Sequence, residues 1–171
     1  MRVAHNHEAD QGAPSVNLEL ITDKDRRDVS APGLRAFKVI TDRWGLSETQ
    51  QRTLLGEPSR STYYGWLAKA AKGEDIILSL DTLLRISNVL GIHKALTILF
   101  IVDAEAMTWF KGQHKGQPFV GQSPLDVMLN GKPDDLSTVR RYLDAWRGGL
   151  RGAPDVDSGV DPVTSGDIVW A

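Results

Sequence analysis

The chain has 171 residues, 41% of them hydrophobic and 25% charged, with a formal net charge of −2 and no cysteine. That length predicts one domain or two very small ones, and the composition is that of an ordinary soluble globular protein. Disulfides and thiolate metal sites are excluded, and no run of 18 apolar residues is there to span a membrane. The opening residues MRVAHNHEADQG lack the apolar core of a secretory signal, so a cytoplasmic protein is expected.

The charge is unevenly spread. Residues 1–30 carry 4 basic and 6 acidic groups, residues 31–110 carry 9 and 8, and residues 111–151 carry 7 and 4. Residues 152–171 carry 4 acidic groups and no basic one. The middle is thus mildly basic between two acidic ends. Acidic ends weaken non-specific attraction to phosphate if a DNA-binding surface is nearby, and they are also the ordinary composition of solvated tails.

Residues 1–30 show no sustained period and are expected to be a partly disordered extension, with 17–21 a short strand or nothing regular. From Ser30 the pattern turns helical. Pro32 suits a first turn, and Leu34, Phe37, Ile40 and Trp44 recur at spacings of three, three and four until Gly45. Ser47 and Gln50 have the capping-box spacing of a second helix, with Leu54 and Leu55 on its apolar face and Gly56 as its C-cap. Pro58 fits the start of a third helix, whose inward side is Tyr63, Trp66 and Leu67.

After the polar loop 72–75, Ser79 caps a helix with Leu80, Leu83, Leu84, Ile86, Val89 and Leu90 on a broad apolar face. Gly91 is expected to break or kink it, with 92–102 continuing as a second buried helix and 103–110 as a further turn or two. Residues 111–122 are rich in Gly and Gln and read as a loop. Ser123-Pro124 then opens a helix with Leu125, Met128 and Leu129 inward and Asn130-Gly131 at its end. Asp134 or Asp135 is expected to cap the last helix, striped by Leu136, Val139, Leu143 and Trp146 and stopped by Gly148-Gly149. Residues 152–171 are expected to form a flexible acidic tail. With no repeat and no convincing sheet, the fold expected is all-α.

The stretch LSETQQRTLLGEPSRSTYYGWLAK, residues 46–69, has the parts of a helix-turn-helix: two helices, a turn with glycine, and small polar and basic side chains at the leading end of the second helix. Ser59, Arg60, Ser61 and Thr62 occupy that end, and arginine can donate two bonds to a guanine edge. Arg60 is the first candidate for DNA contact. Arg52, with Gln50 and Gln51, is placed to support it from the preceding helix. Tyr63 and Tyr64 could pack, bond phosphate, or do one of each. Any helical hairpin can also look like this, because serines beside a proline are ordinary caps.

Other chemistry finds little footing. His5 and His7 have no carboxylate cluster nearby, and His93 and His114 are isolated. No nucleophile elbow or assembled Ser/His/Asp pattern is present, and the glycines of 148–152 follow a helix rather than lead into one. A non-enzymatic protein without metal or cofactor is expected.

The order of parts resembles the Xre/MbcA/ParS-type antitoxins that pair with RES-domain toxins. The segments are LLGEPSRSTYYGWLAKA, LSLDTLLRISNVLGIHKALTILF, AEAMTWF, PFVGQSPLDVMLNG and STVRRYLDAWRGG, so the resemblance spans roughly residues 34–151. It implies an Xre-like helix-turn-helix and dimerisation domain over 31–102, a toxin-binding domain over 103–151, and no enzymatic activity. It also implies operator DNA, a RES-domain NAD-consuming toxin and a second copy of the chain as partners. Carried onto this sequence, DNA binding falls to Arg52, Ser59, Arg60, Ser61, Thr62 and Tyr64. Toxin binding falls to Trp109, Leu125, Trp146, Gly148, Gly149, Leu150 and Arg151, with the last four as a plug near the toxin pocket. The alternative is a stand-alone helix-turn-helix repressor with a C-terminal dimerisation or ligand-sensing domain.

Overall fold

The computed structural model describes residues 21–149. The expectations placed on residues 1–20 and on the tail from 150 onward, including Leu150 and Arg151, lie outside the described residues. Within them the protein is all-helical, as expected. Seven helices follow in order: α1 Asp23–Arg43, α2 Glu48–Leu54, α3 Arg60–Lys72, α4 Leu80–Leu99, α5 Asp103–Lys111, α6 Pro124–Leu129 and α7 Pro133–Arg147.

The local start signals explain most of these elements. Ser47 with Gln50 and Ser123 with Asp126 form complete capping boxes at α2 and α6, with Pro124 in the first turn of α6. Ser59 and Ser79 each accept a first-turn amide at α3 and α4.

Four boundaries depart from the sequence expectation. Helix α1 begins at Asp23 under a Thr22–Asp25 capping box, so Ser30 and Pro32 lie inside it. Pro32 is tolerated there on an exposed position, where water can serve the carbonyl that the missing N–H leaves free. Ser30 is fully buried, and its hydroxyl donates to Arg26 O and accepts from Leu78 N, tying α1 to the segment before α4. Pro58 precedes the N-cap Ser59 instead of opening α3. Gly91 does not interrupt α4, which runs unbroken to Leu99. Helix α7 starts at Pro133, with Lys132 as its cap and no side-chain cap bond; Asp134 and Asp135 lie in its first turn, where they complement the helix dipole.

Helix α4 is the centre of the packing. Helices α1 and α7 both lie along it, α3 packs on α1, and α6 packs on α7 and α5. One continuous core runs through the described residues, from Leu34, Phe37 and Trp44 of the α1 region, through Val89, Ile92 and Leu96 of α4, to Leu136, Val139 and Leu143 of α7. Full burial of each such large side chain contributes about 1.5–3 kcal/mol. Leu84 is the exception on the expected face of α4: it is exposed, and Arg85 is buried in its place.

Candidate functional site

The α2–α3 corner is built by two consecutive left-handed residues, Gly56 at φ 87° and Glu57 at φ 60°. Behind the turn, Arg85 donates to Asp81 Oδ2 at 2.8 Å and to Gly131 O at 2.9 Å. A Cβ on Gly56 would come within 3.1 Å of Arg85 Nε, so the turn is fitted against this buried cation. Tyr63 locks the corner from inside. It is 1% exposed and its hydroxyl donates to Gln51 Oε1. Gln51 Nε2 in turn donates to Asp42 Oδ1 and Leu46 O. Burial, helped by the nearby Asp42 carboxylate, pushes the Tyr63 hydroxyl up to about 12. Of the two tyrosines, Tyr63 therefore packs and Tyr64 faces outward.

The outer face gathers around one carboxylate that the sequence reasoning did not single out. Glu48 Oε1 lies 3.2 Å from Arg60 Nε and 3.7 Å from an Arg52 terminal nitrogen. Tyr64 donates its hydroxyl to Glu48 Oε2 at 2.8 Å, and the Arg60 guanidinium carbon sits 5.7 Å from the Tyr64 ring centre. Arg52 also donates from Nε to Pro58 O at 2.8 Å. Arg60 remains 72% exposed, so its fork can leave Glu48 for a ligand. Ser59 Oγ caps Thr62 N, donates to Thr62 Oγ1 and lies 3.0 Å from Ser61 Oγ. The six DNA candidates thus share one exposed corner. Gln50 and Gln51 do not join it: Gln50 accepts from Ser47 N in the capping box, and Gln51 is buried.

The later candidates divide by depth. Trp109 and Leu125 are each 8% exposed and belong to the core. Trp109 stacks on Tyr142 with ring centres 5.9 Å apart and meets Trp146 at 5.4 Å, Phe119 at 6.0 Å and Phe100 at 6.0 Å. His114 Nε2 hydrogen-bonds Trp109 O at 2.8 Å, which folds the Gly- and Gln-rich loop over the cluster. Burial pushes the Tyr142 hydroxyl up to about 12. Trp109 and Leu125 therefore set the shape of this region and present little surface. Trp146 is half-buried at its edge, while Gly148 and Gly149 are exposed at the end of α7, with Gly149 left-handed at φ 66°.

A third feature lies between the end of α1, α4 and α5. It is a cleft of about 240 Å³ lined by Trp44, Leu96, Ala106 and Met107, with His93 beside them and the Arg43–Asp103 ion pair at its rim. Ile98, Ile101 and Val102, each within two residues of the lining residues Thr97 or Asp103, are exposed. Burial and then the Arg43 charge hold the His93 imidazole below its usual range, against a smaller opposing effect of Asp103. Among the described residues no group of histidines and carboxylates is arranged to hold a metal ion, and no helix is long and apolar enough to cross a membrane.

Residues 95–149 match the family model described as the antitoxin Xre/MbcA/ParS C-terminal toxin-binding domain. The match begins inside α4 and runs to Gly149, taking in the exposed Ile98, Ile101 and Val102, the aromatic cluster and all of α7. The chain is also similar to the uncharacterized protein y4oB of Sinorhizobium fredii (strain NBRC 101917 / NGR234), at 47% identity over 116 residues, which is 68% of this chain and 84% of the relative. The match over residues 95–149 places the chain in the Xre/MbcA/ParS antitoxin family.

Proposed function

We propose that this antitoxin neutralises a RES-domain, NAD-consuming toxin and represses its own operon by binding operator DNA as a homodimer. The work is divided along the chain: residues 31–102 carry the DNA contacts and the dimer, residues 103–151 carry the plug, and the match beginning at residue 95 supports extending the toxin-facing part back into the end of α4. The observation that carries the DNA arm is the exposed Arg60 at the leading end of α3, flanked by Arg52, Tyr64 and the hydroxyls of Ser59, Ser61 and Thr62. That end of a recognition helix is the one that enters the major groove. In a bound complex the Arg60 fork exchanges the Glu48 carboxylate for a base edge, and Arg52 and Tyr64 turn to phosphates. A two-fold dimer would then read a palindromic operator.

For the toxin arm, the carrying observation is the match over residues 95–149. The chain leaves α7 at the exposed Gly148 and Gly149. There it would enter the toxin's active-site entrance, with the Arg151 guanidinium pairing with acceptors that normally meet a pyrophosphate. The test is co-expression of the full chain with the protein encoded beside it. Co-purification with a RES-like product, and retention of the DNA upstream of the reading frame at low salt, are expected. Purification without the neighbour removes the toxin arm, and no retention of that DNA removes the operator arm.

A further inference from the structure

Neither Trp109 nor Leu125 can be the main surface offered to a partner, because both are in the core. The large aliphatics that are offered within residues 95–149 lie elsewhere. Val120 stands alone at 65% on the loop before α6, whereas Ile101 at 101%, Ile98 at 54% and Val102 at 48% all lie at the end of α4 or on the link to α5. Clustered exposed aliphatics mark docking surfaces more often than isolated ones do. Each of these three stands within two residues of Thr97 or Asp103, which line the cleft floored by Trp44, Leu96 and Met107.

We propose that this edge and cleft dock the cognate toxin protein, with an apolar side chain of the toxin seated between α1 and α5 and Ile101 packed on the toxin surface. The inference rests on reading the chain as an antitoxin and adds where the toxin is gripped, outside the plug at the end of α7.

Three observations choose the occupant. First, the edge lies inside the residues matched to a toxin-binding domain, so it is continuous with that face. Second, the rim is electrically closed: Arg43 pairs with Asp103, and the Thr97 hydroxyl is taken up by His93 O and Lys94 O of its own helix. A charged partner group would find no free counterion there, whereas an aliphatic or aromatic one meets Leu96, Ala106 and Met107, with Trp44 Nε1 staying without a partner. Third, a cleft of about 240 Å³ falls below the roughly 300–1,000 Å³ of sites for drug-sized ligands. It suits one or two inserted side chains, which is how a buried anchor grips an interface.

The test uses the full chain co-expressed with the protein encoded beside it, with affinity measured on the purified partners. Ile101→Asp alters a fully exposed side chain and Ala104→Trp fills the cleft from an exposed position on α5, so neither disturbs the core. Both are expected to weaken capture at least about tenfold. Val39→Asp, at an aliphatic that is 68% exposed on α1 and outside the matched residues, is expected to leave capture unchanged. Unchanged capture by either cleft variant overturns the proposal, as does an equal loss with Val39→Asp. If Ile101→Asp splits a wild-type dimer yet captures toxin normally, the occupant is a second copy and the proposal fails. If the wild-type chain captures no neighbour at all, the reading of its partner fails first, and this surface with it.

Discussion

Gly91 of α4 lies directly beneath Arg140 of α7: a Cβ built on Gly91 would stand 1.5 Å from an Arg140 terminal nitrogen and 1.9 Å from its guanidinium carbon. The guanidinium crosses α4 through the space the missing side chain leaves. It is held there by Asp144 Oδ2 at 2.7 Å and by Ser87 O at 3.2 Å. A glycine that costs helix propensity therefore sits inside the α4–α7 packing surface.

The pair makes an unusual double-mutant prediction. Alone, Gly91→Ala gains helix propensity of about 1 kcal/mol but pushes the end of the flexible, partly exposed Arg140 side chain from its bonds, which offsets about 0–1 kcal/mol of that gain. With Arg140→Ala already in place, the same change meets open space and should stabilise by its full propensity. Urea unfolding of the four proteins reads the difference. The account of Gly91 fails if the substitution has the same effect in both backgrounds.

What the sequence made legible, and what it did not, follows the range of the forces involved. The Ser47–Gln50 and Ser123–Asp126 boxes were readable because both partners lie within one helical turn. Gly91 looks like a breaker in the sequence because its reason, Arg140, sits far along the chain on another helix. Ser30 looks like a helix start because its hydroxyl's partner, Leu78 N, is equally remote. At the corner, residue type alone points to Arg60, Arg52 and Tyr64 but not to Glu48, since only the fold brings their side chains to its carboxylate. The stripes point to much of the core, including Leu125, but not to Trp109, which the resemblance assigns to toxin contact and the packing buries; nor do they say which apolar residues the tertiary packing leaves outside, such as Ile98 and Ile101.

Glu48 and Arg60 should behave oppositely on DNA. Arg60→Ala is expected to lower affinity for the upstream operator fragment by about 1–3 kcal/mol if the fork reads a base. Glu48→Gln removes a negative charge from the proposed phosphate-facing corner and frees Arg60. Affinity should then rise for the operator and for a scrambled duplex of equal length alike, because the change acts on phosphate attraction. Gel shifts across a salt series measure both. Unchanged operator affinity in Arg60→Ala would take that residue out of the site.

Ending the chain at Arg147 tests the plug separately from the fold. Helix α7 keeps its core residues Leu136, Val139 and Leu143, and Gly148 contributes only a cap bond to Asp144 O. The truncated protein is expected to retain its helical circular dichroism and a melting temperature close to that of the full chain. Rescue of cells expressing the toxin should nonetheless drop. Full rescue by the truncation would place the inhibitory contact earlier in the chain.

His93 should give the fold a dependence on mildly acidic pH. Its folded pKa lies below the ordinary value because burial, and then the Arg43 charge, disfavour the imidazolium, with Asp103 opposing. The unfolded chain therefore binds more protons than the folded one between the ordinary histidine range, about 6.5, and the depressed folded value. Stability must rise with pH across that window. It is fully present above about pH 6.5, falls as the pH drops through the window, and levels off once the folded form also protonates. Asp42, whose carboxyl is lowered chiefly by the Lys38 hydrogen bond, acts in the same direction but only at more acidic pH. Denaturant midpoints at pH 7 and pH 5 should separate in the wild type and draw together in His93→Gln. Equal separation in both proteins would mean that another group carries the titration.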